Sequence, residues 1–146
     1  MHQDQRQVAI CTNQSGIGRG MFDETTLQAI HAKLATHLNQ HQTQVEKIYW
    51  CPHHPDAGCS CRKPAPGMLL QAMREFGVSP ARTAFVGDSM RDLEAAVAAQ
   101  CKPILVLTGN GLATAEKLAD PNHNAIAREV QIVADIGEAA SWLLAA

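Results

Sequence analysis

Short apolar runs alternate along the chain with segments in which apolar residues recur every three or four positions. The runs are typical of buried β-strands and cover residues 8–11, 45–50, 83–86, 104–107 and 130–133. The periodic segments predict helices over residues 24–38, 68–76 and 113–119, around 93–97, and at 136–144. Strands that alternate with helices in this way predict an α/β fold with a parallel sheet.

Local signals mark two of the predicted helix ends. Asp23 precedes the first helical pattern, where its carboxylate can accept backbone N–H groups as an N-cap. Gly77 follows Phe76, and glycine is favoured in the left-handed conformation that ends many helices. The glycine-rich stretch of residues 14–20 shows no apolar repeat and is predicted to be a loop.

Polar residues follow the predicted strands at the points where the strands end. They are Thr12 and Asn13, a cysteine-rich loop, Asp88 and Thr108. In open α/β sheets, ligands bind beyond the carboxyl ends of the strands. We therefore expect these residues to gather at one edge of the sheet and to form the functional site.

Composition narrows the classes of function. A length of 146 residues with 46% hydrophobic residues fits a single domain over residues 1–146. A formal net charge of -2 and 4% aromatic residues give no basis for binding nucleic acid. No stretch approaches the roughly 20 apolar residues that span a bilayer, and the polar start lacks the apolar core of a signal peptide. We therefore expect a cytoplasmic protein without a membrane or nucleic-acid partner.

Three of the five cysteines lie close together between Cys51 and Cys61. With the histidine at position 53 they make two ligand pairs, and the set is Cys51, His53, Cys59 and Cys61. Three thiolates and one imidazole suit a closed, structural zinc site, and His54 is the weaker nitrogen ligand. The alternative is that these are unrelated loop cysteines.

The two remaining cysteines stand apart from this loop. Cys11 and Cys101 lie in or beside apolar runs. A free cysteine in such a place behaves as a small buried hydrophobe, so we expect neither to be a reactive thiol.

A second set of residues suits a bound phosphate. Thr12 can present its hydroxyl and the backbone N–H groups that follow it, whereas Arg62 and Lys63 supply positive charge. Asp88 can offer a carboxylate oxygen to Mg²⁺, with Asp92 nearby on the first turn of the next helix. Each residue alone also has an ordinary explanation, as a β-former, a solvated cation or a helix cap. Their order along the chain favours the phosphate site.

Four motifs together resemble the phosphatases of the HAD superfamily that act on small metabolites. They are residues 12–20, Cys51-Pro52-His53, residues 59–64 and Gly87-Asp88-Ser89. The resemblance runs from about Val8 to Thr108 and is closest to the heptose bisphosphate phosphatases, which serve ADP-heptose and lipopolysaccharide core synthesis. Histidinol-phosphate phosphatases share the zinc loop and are the alternative, but in them a different loop follows Asn-Gln.

The resemblance implies a Rossmann-like parallel sheet with helices on both faces and an inserted zinc loop. It implies that Thr12 and Lys63 stabilise the transferring phosphoryl group and that Arg62 helps to recognise the substrate. It also implies a sugar phosphate substrate, whose binding site is lined by Asn13, Gln14, Ser15 and Arg19. The resemblance further implies two metal ions, a structural zinc and a catalytic Mg²⁺ on Asp88. It also implies a monomeric enzyme.

The resemblance also implies a nucleophile that this sequence does not contain. These phosphatases use an Asp-x-Asp-Gly-Thr motif on a first strand at the centre of the sheet, and no Asp-x-Asp occurs here. Asp4 is the one carboxylate before Thr12. We therefore expect a chain that lacks this strand and is inactive alone. The alternative is a zinc-stabilised module that binds phosphate ligands without turnover.

Overall fold

A computed structural model of the protein describes residues 6–146, so Asp4 lies outside the described residues. The described chain divides into two units, which meet in sequence between Arg62 and Lys63. Within the described residues, no helix is both long and apolar enough to cross a membrane.

The first unit contains two parallel strands and two helices. Strand β1 is Ala9–Asn13, helix α1 Ser15–Gly18, helix α2 Glu24–Gln40 and strand β2 Lys47–Cys51. The strands pair in parallel, and the last pair of the register joins Asn13 to Cys51. This pairing brings the end of β1 beside the start of the cysteine loop.

Helix α2 begins at the predicted residue. The Asp23 carboxylate accepts the backbone N–H of Thr26 at 2.8 Å, which satisfies one of the free donors of the first turn. Leu27 on this helix is fully buried, and the ring of His31 lies 5.5 Å from that of Trp50 on β2 in an edge-to-face arrangement. The helix therefore packs on its unit through one side, whereas Ile30 remains 55% exposed.

Helix α1 corrects the prediction of a loop over residues 14–20. Ser15–Gly18 form one helical turn. Its shape depends on backbone hydrogen bonds to a distant segment rather than on an apolar repeat, because the Gly18 N–H donates to the Pro52 carbonyl at 2.8 Å. A pattern of apolar residues could not indicate a turn of this kind.

The second unit contains a three-stranded parallel sheet with five helices. The strands are β3 Ala84–Gly87, β4 Lys102–Val106 and β5 Gln131–Val133, in the order β3-β4-β5. The helices are α3 Gly67–Phe76, α4 Met90–Ala98, α5 Gly111–Leu118, α6 Asn124–Ala127 and α7 Ile136–Ala145. Helix α6 has no counterpart among the predicted elements, and Gly77 ends α3 in the left-handed conformation, as predicted.

Strand β4 is central and buried on both faces. Ile104 and Val106 contribute to one hydrophobic cluster, with Val133, Ala139 and partly buried residues of α7. Leu105 points to the opposite face and packs with Leu93 of α4 and Leu118 of α5. Alternate side chains of a strand face opposite ways, so one strand fills two cores. Helices on both faces of the sheet are thereby confirmed for this unit.

The described strands form two parallel sheets, β1-β2 and β3-β4-β5, rather than one continuous sheet. The α/β class with parallel strands is confirmed. The absence of a first, central strand and a single domain over residues 1–146 stay predictions.

Candidate functional site

The four predicted zinc ligands lie together in the first unit. Their ligand atoms are the sulfur atoms of three cysteines and a ring nitrogen of one histidine, all within 4.8 Å of one another: Cys51, His53, Cys59 and Cys61. Cys51 ends β2 and is fully buried, so one ligand is fixed by the sheet itself. The other three lie on the loop that follows.

The ligand atoms are close enough together to share one tetrahedral metal ion. The Cys51 sulfur lies 3.5 Å from that of Cys59 and 2.8 Å from that of Cys61. The His53 Nδ1 atom lies 3.3 Å from the first and 3.2 Å from the last of these sulfurs. Zinc–sulfur bonds of about 2.3 Å at tetrahedral angles place sulfur atoms about 3.8 Å apart. The Cys51–Cys59 distance is near this value, whereas the sulfurs of Cys51 and Cys61 must move apart by about 1 Å to bind zinc.

Electrostatics also favour a cation among the three thiols. Burial raises the pKa of Cys59, but hydrogen bonds from the Arg62 backbone and from the other ligands outweigh it and lower the pKa to about 6. Burial and the two neighbouring thiols raise the pKa of Cys61 to about 12. One thiolate therefore forms readily, whereas further ionisation needs a positive charge among them.

His54 lies outside this cluster, as predicted. Its Nδ1 atom accepts the backbone N–H of Asp56 at 3.2 Å and caps the single 3-10 turn of Pro55–Ala57. Its side chain is 45% exposed. His53 is therefore the histidine that belongs to the ligand set.

The candidate substrate residues of the first unit begin at the end of β1. The Gln14 side-chain amide donates to the Thr12 hydroxyl at 3.1 Å. The Gln14 backbone N–H donates to the Cys51 carbonyl at 2.8 Å. This N–H is therefore committed to β2, so it is not among the backbone N–H groups after Thr12 that can face a bound oxyanion. Ser15 lies on α1, and Arg19 caps its end.

Arg62 has a donor without a partner. Its Nη1 atom is buried and makes no hydrogen bond to any other described residue. Buried donors in proteins are almost always satisfied, so an isolated one indicates a partner other than the described residues. A planar guanidinium suits a phosphate or carboxylate oxygen.

In the second unit, an ion pair holds Lys63. Its ammonium lies 2.6 Å from the Asp92 Oδ1 atom and 5.3 Å from the centre of the Phe85 ring on β3. The Asp92 Oδ2 atom accepts the hydroxyl of Ser89 at 2.7 Å and its backbone N–H at 3.1 Å. Both oxygens of Asp92 are thus committed, because Asp92 completes the capping box of α4, whose N-cap is Ser89, and is the partner of Lys63.

Asp88 follows β3 and has one carboxylate oxygen committed. Its Oδ2 atom accepts the Asn110 backbone N–H at 2.8 Å and the Asn110 side-chain amide at 3.3 Å. A Cβ atom at Gly109 would lie 2.3 Å from this oxygen, so glycine allows the approach. No described residue bonds to Oδ1. A carboxylate oriented in this way fits a magnesium ligand, whereas Asp92 does not.

The structure brings the predicted residues together within each unit. In the first unit, the candidate metal ligands lie together, and Thr12 is in contact with Gln14. In the second unit, Lys63 pairs with Asp92, which accepts hydrogen bonds from Ser89, the residue next to Asp88. Sequence reasoning did not find Phe85 or Asn110. Asn110 follows β4 as Asp88 follows β3, so its position at a strand end was a usable signal.

Comparisons with known proteins identify relatives of the chain. A family model described as HAD-hydrolase-like matches residues 60–139, which is more than half of the chain. This match defines the class as a HAD-like hydrolase. The D-glycero-beta-D-manno-heptose-1,7-bisphosphate 7-phosphatase of Bordetella bronchiseptica is 46% identical over 128 residues, which cover 88% of this chain and 72% of that protein. Its counterpart from Pseudomonas aeruginosa is 51% identical over 110 residues, covering 75% of this chain and 62% of that protein.

A solved structure is similar in fold as well as in sequence. The D,D-heptose 1,7-bisphosphate phosphatase of B. bronchiseptica, complexed with magnesium and phosphate, matches with a TM-score of 0.86 and 44% identity. The match covers 94% of this chain and 74% of that one. The chain belongs to the family of heptose-1,7-bisphosphate 7-phosphatases within the HAD-like hydrolases. It spans between about three fifths and three quarters of the length of these relatives.

Proposed function

We propose that this chain serves the hydrolysis of the 7-phosphate of D-glycero-D-manno-heptose 1,7-bisphosphate, a step in ADP-heptose synthesis for the lipopolysaccharide core. The observation that carries the proposal is the arrangement in the second unit. There, Asp92 holds the ammonium of Lys63, while Asp88 keeps one carboxylate oxygen without a partner among the described residues. A fixed cation and a free anionic ligand are what phosphoryl transfer needs for charge stabilisation.

Each predicted site residue has a proposed role in this reaction. Lys63 neutralises charge on the transferring phosphoryl group, and the Thr12 hydroxyl donates to one of its oxygens. The unpartnered Nη1 atom of Arg62 supplies recognition of the substrate. The sugar is contacted by the remaining candidates on and beside α1, which are Asn13, Gln14, Ser15 and Arg19.

Two metal ions are part of the proposal. Zinc on Cys51, His53, Cys59 and Cys61 stabilises a loop that has little apolar surface of its own. Mg²⁺ on Asp88 supplies charge neutralisation when bound. Support comes from the ligand spacing in this chain and from the magnesium in the Bordetella structure.

The carboxylate nucleophile that the family uses is not among the residues of this sequence, which contains no Asp-x-Asp. We therefore expect the 146-residue chain to bind the heptose bisphosphate and to release negligible phosphate from it. Supplying a segment with the family's Asp-x-Asp motif, fused before residue 6 or as a separate peptide, should restore Mg²⁺-dependent release.

The test compares phosphate release by the chain with and without that segment. Heptose bisphosphate is the substrate, histidinol phosphate is the alternative, and the segment with both aspartates changed to asparagine is the matched control. Restored release from heptose bisphosphate, lost in Lys63→Ala, supports the proposal. Preferential release from histidinol phosphate would move the proposal to that activity. Tight binding of heptose bisphosphate without turnover in the restored protein would favour the alternative of a phosphate-ligand-binding module.

A further inference from the structure

We propose that Gly18 is a positioning residue through which the metal loop holds the substrate segment. This inference rests on the proposed function of residues 14–19. Two carbonyl groups at the first ligand pair accept hydrogen bonds from this segment. The Cys51 carbonyl accepts the Gln14 N–H, and the Pro52 carbonyl accepts the Gly18 N–H, both at 2.8 Å. The segment is thus fixed at its beginning and at the end of α1.

Gly18 is required here for space rather than for backbone conformation. Its φ lies outside the left-handed region that favours glycine. A Cβ atom at this position would lie 2.6 Å from the His54 backbone nitrogen and 2.7 Å from the Pro52 carbonyl oxygen. These are main-chain atoms of the metal loop and cannot swing away as a side chain can. Any larger residue must therefore separate α1 from the loop.

The contrast with Gly16 sharpens the assignment. A Cβ atom at Gly16 would meet the ring of Phe22, which is a side chain. At Gly18 the neighbours are Pro52 and the backbone between His53 and His54, on either side of a metal ligand. A shift there reaches both the metal ligands and the substrate segment.

The two carbonyl contacts link metal binding to the order of residues 14–19. When the metal fixes Cys51 and His53, the Pro52 carbonyl between them is fixed too, and Gly18 has a rigid acceptor. Metal binding should therefore raise the affinity for a substrate that uses this segment. By thermodynamic linkage, that substrate must raise the affinity for the metal by the same factor. Gly18 is the residue through which this coupling passes.

The first experiment measures hydrogen exchange at individual amides of the full chain, loaded with zinc. Gly18→Ala is compared with Gly137→Ala, a glycine at the start of α7 whose added Cβ would meet only the Asp135 carboxylate, at 3.2 Å. We expect the amide at position 18 to lose protection at least tenfold in Gly18→Ala, about the value of one hydrogen bond, and zinc affinity to fall by a similar factor in competition with a chelator. Gly137→Ala should change neither. Unchanged protection and zinc affinity in Gly18→Ala would overturn the proposal.

The second experiment separates positioning from general damage. Calorimetry of zinc-loaded Gly18→Ala should show roughly tenfold weaker binding of heptose bisphosphate, whereas inorganic phosphate should bind as it does to the unmodified chain, because α1 contacts the sugar in the proposed site. Equal losses for both ligands, or none, would contradict positioning. If the variant does not fold, zinc affinity is measured on the unmodified chain with and without heptose bisphosphate. The ligand must raise the zinc affinity, and an unchanged affinity refutes the coupling. If no heptose bisphosphate binds to the unmodified chain, the proposed function fails, and amide exchange still decides the role of Gly18.

Discussion

The two units differ in what stabilises them. Among the described residues, seventeen hydrophobic side chains are buried, and only three of them lie before Lys63: Leu27, Tyr49 and Cys51. The second unit has two hydrophobic clusters, one on each face of its sheet. Cys51 is itself a member of the candidate metal set. The first unit therefore has little apolar burial that is independent of its metal ligands.

This difference explains why the candidate site residues of the two units are held in place by different interactions. A region with few buried side chains must be ordered by other interactions, and in the first unit these are the ligand cluster, its backbone carbonyls and the helix cap at Asp23. The second unit can hold a charged pair because Asp92 is buried on α4 and the Lys63 ammonium lies over the Phe85 ring of β3. We infer that the substrate segment depends on metal, whereas Lys63 and Asp88 depend on the hydrophobic core.

The largest expected effect is that of removing the metal. Structural zinc in small domains contributes about 10 kcal/mol or more of apparent folding free energy. Chelation, or Cys59→Ser, should release one zinc per chain and expose residues 6–62 to hydrogen exchange, while the amides of β4 stay protected. Native mass spectrometry and exchange mass spectrometry measure the two outcomes.

Cys101→Ser is the matched control for this substitution. Cys101 is buried in the second unit, outside the ligand set, so its replacement should leave the zinc content at one per chain. A stable, correctly folded chain without metal would show that the first unit does not need zinc.

Core truncation should affect the other unit. Leu105 is fully buried, between Leu93 and Leu118, so Leu105→Ala should reduce the free energy of unfolding by about 2–5 kcal/mol through lost burial and a cavity. Leu112, which is 65% exposed, provides the control, and Leu112→Ala should change stability by less than about 0.5 kcal/mol. Urea unfolding followed by tryptophan fluorescence and circular dichroism measures the loss. If Leu105→Ala reduced the free energy of zinc binding as much as that of unfolding, the two units would not be stabilised independently.

The Lys63–Asp92 pair should show an intermediate effect. Asp92→Asn keeps an acceptor for Ser89 but removes the charge that faces the ammonium, and the two side chains are only 12% and 8% exposed. Breaking a buried pair leaves one charge without compensation. Because Asp92→Asn can still accept a hydrogen bond, we expect a loss of about 2 kcal/mol, the value of one hydrogen bond to a charged group. A double-mutant cycle with Lys63→Met isolates the pairwise free energy, which should exceed about 1 kcal/mol. A coupling near zero would mean that Asp92 serves only in the capping box with Ser89.

The features that sequence could predict are those whose causes are local. The candidate metal ligands lie within eleven positions, and the Asp23 cap acts over three residues. Apolar runs indicated every described strand to within two residues. Gly77 ended α3 because the left-handed conformation is a property of the residue itself.

The features that sequence missed have distant causes. Lys63 and Asp92 are 29 positions apart, and Asp88 and Asn110 are 22 apart, so no periodic pattern connects them. Helix α1 takes its shape from a carbonyl group at Pro52, 34 positions from Gly18. Without knowledge of the strand pairing, Asp92 could be assigned only as a residue near Asp88, and its commitment to Lys63 could not be foreseen.

The smallest expected effect concerns the cap of α2, in the unit with little core. Hydrogen bonds from the backbone N–H and the hydroxyl of Thr26 lower the pKa of Asp23 below its ordinary value of 3.8. A pKa that is lower in the folded state gives stability that is fully present above 3.8 and is lost as pH falls through the folded value. Asp23→Asn retains a capping oxygen and removes the titration. The variant should therefore be slightly less stable than the unmodified chain at neutral pH, and the two melting temperatures should converge as pH falls below 3.8. Asp23→Ala, which lacks the capping oxygen, should remain the less stable protein at both pH values. A difference between Asp23→Asn and the unmodified chain that does not change with pH would mean that the carboxylate charge contributes nothing to holding this helix.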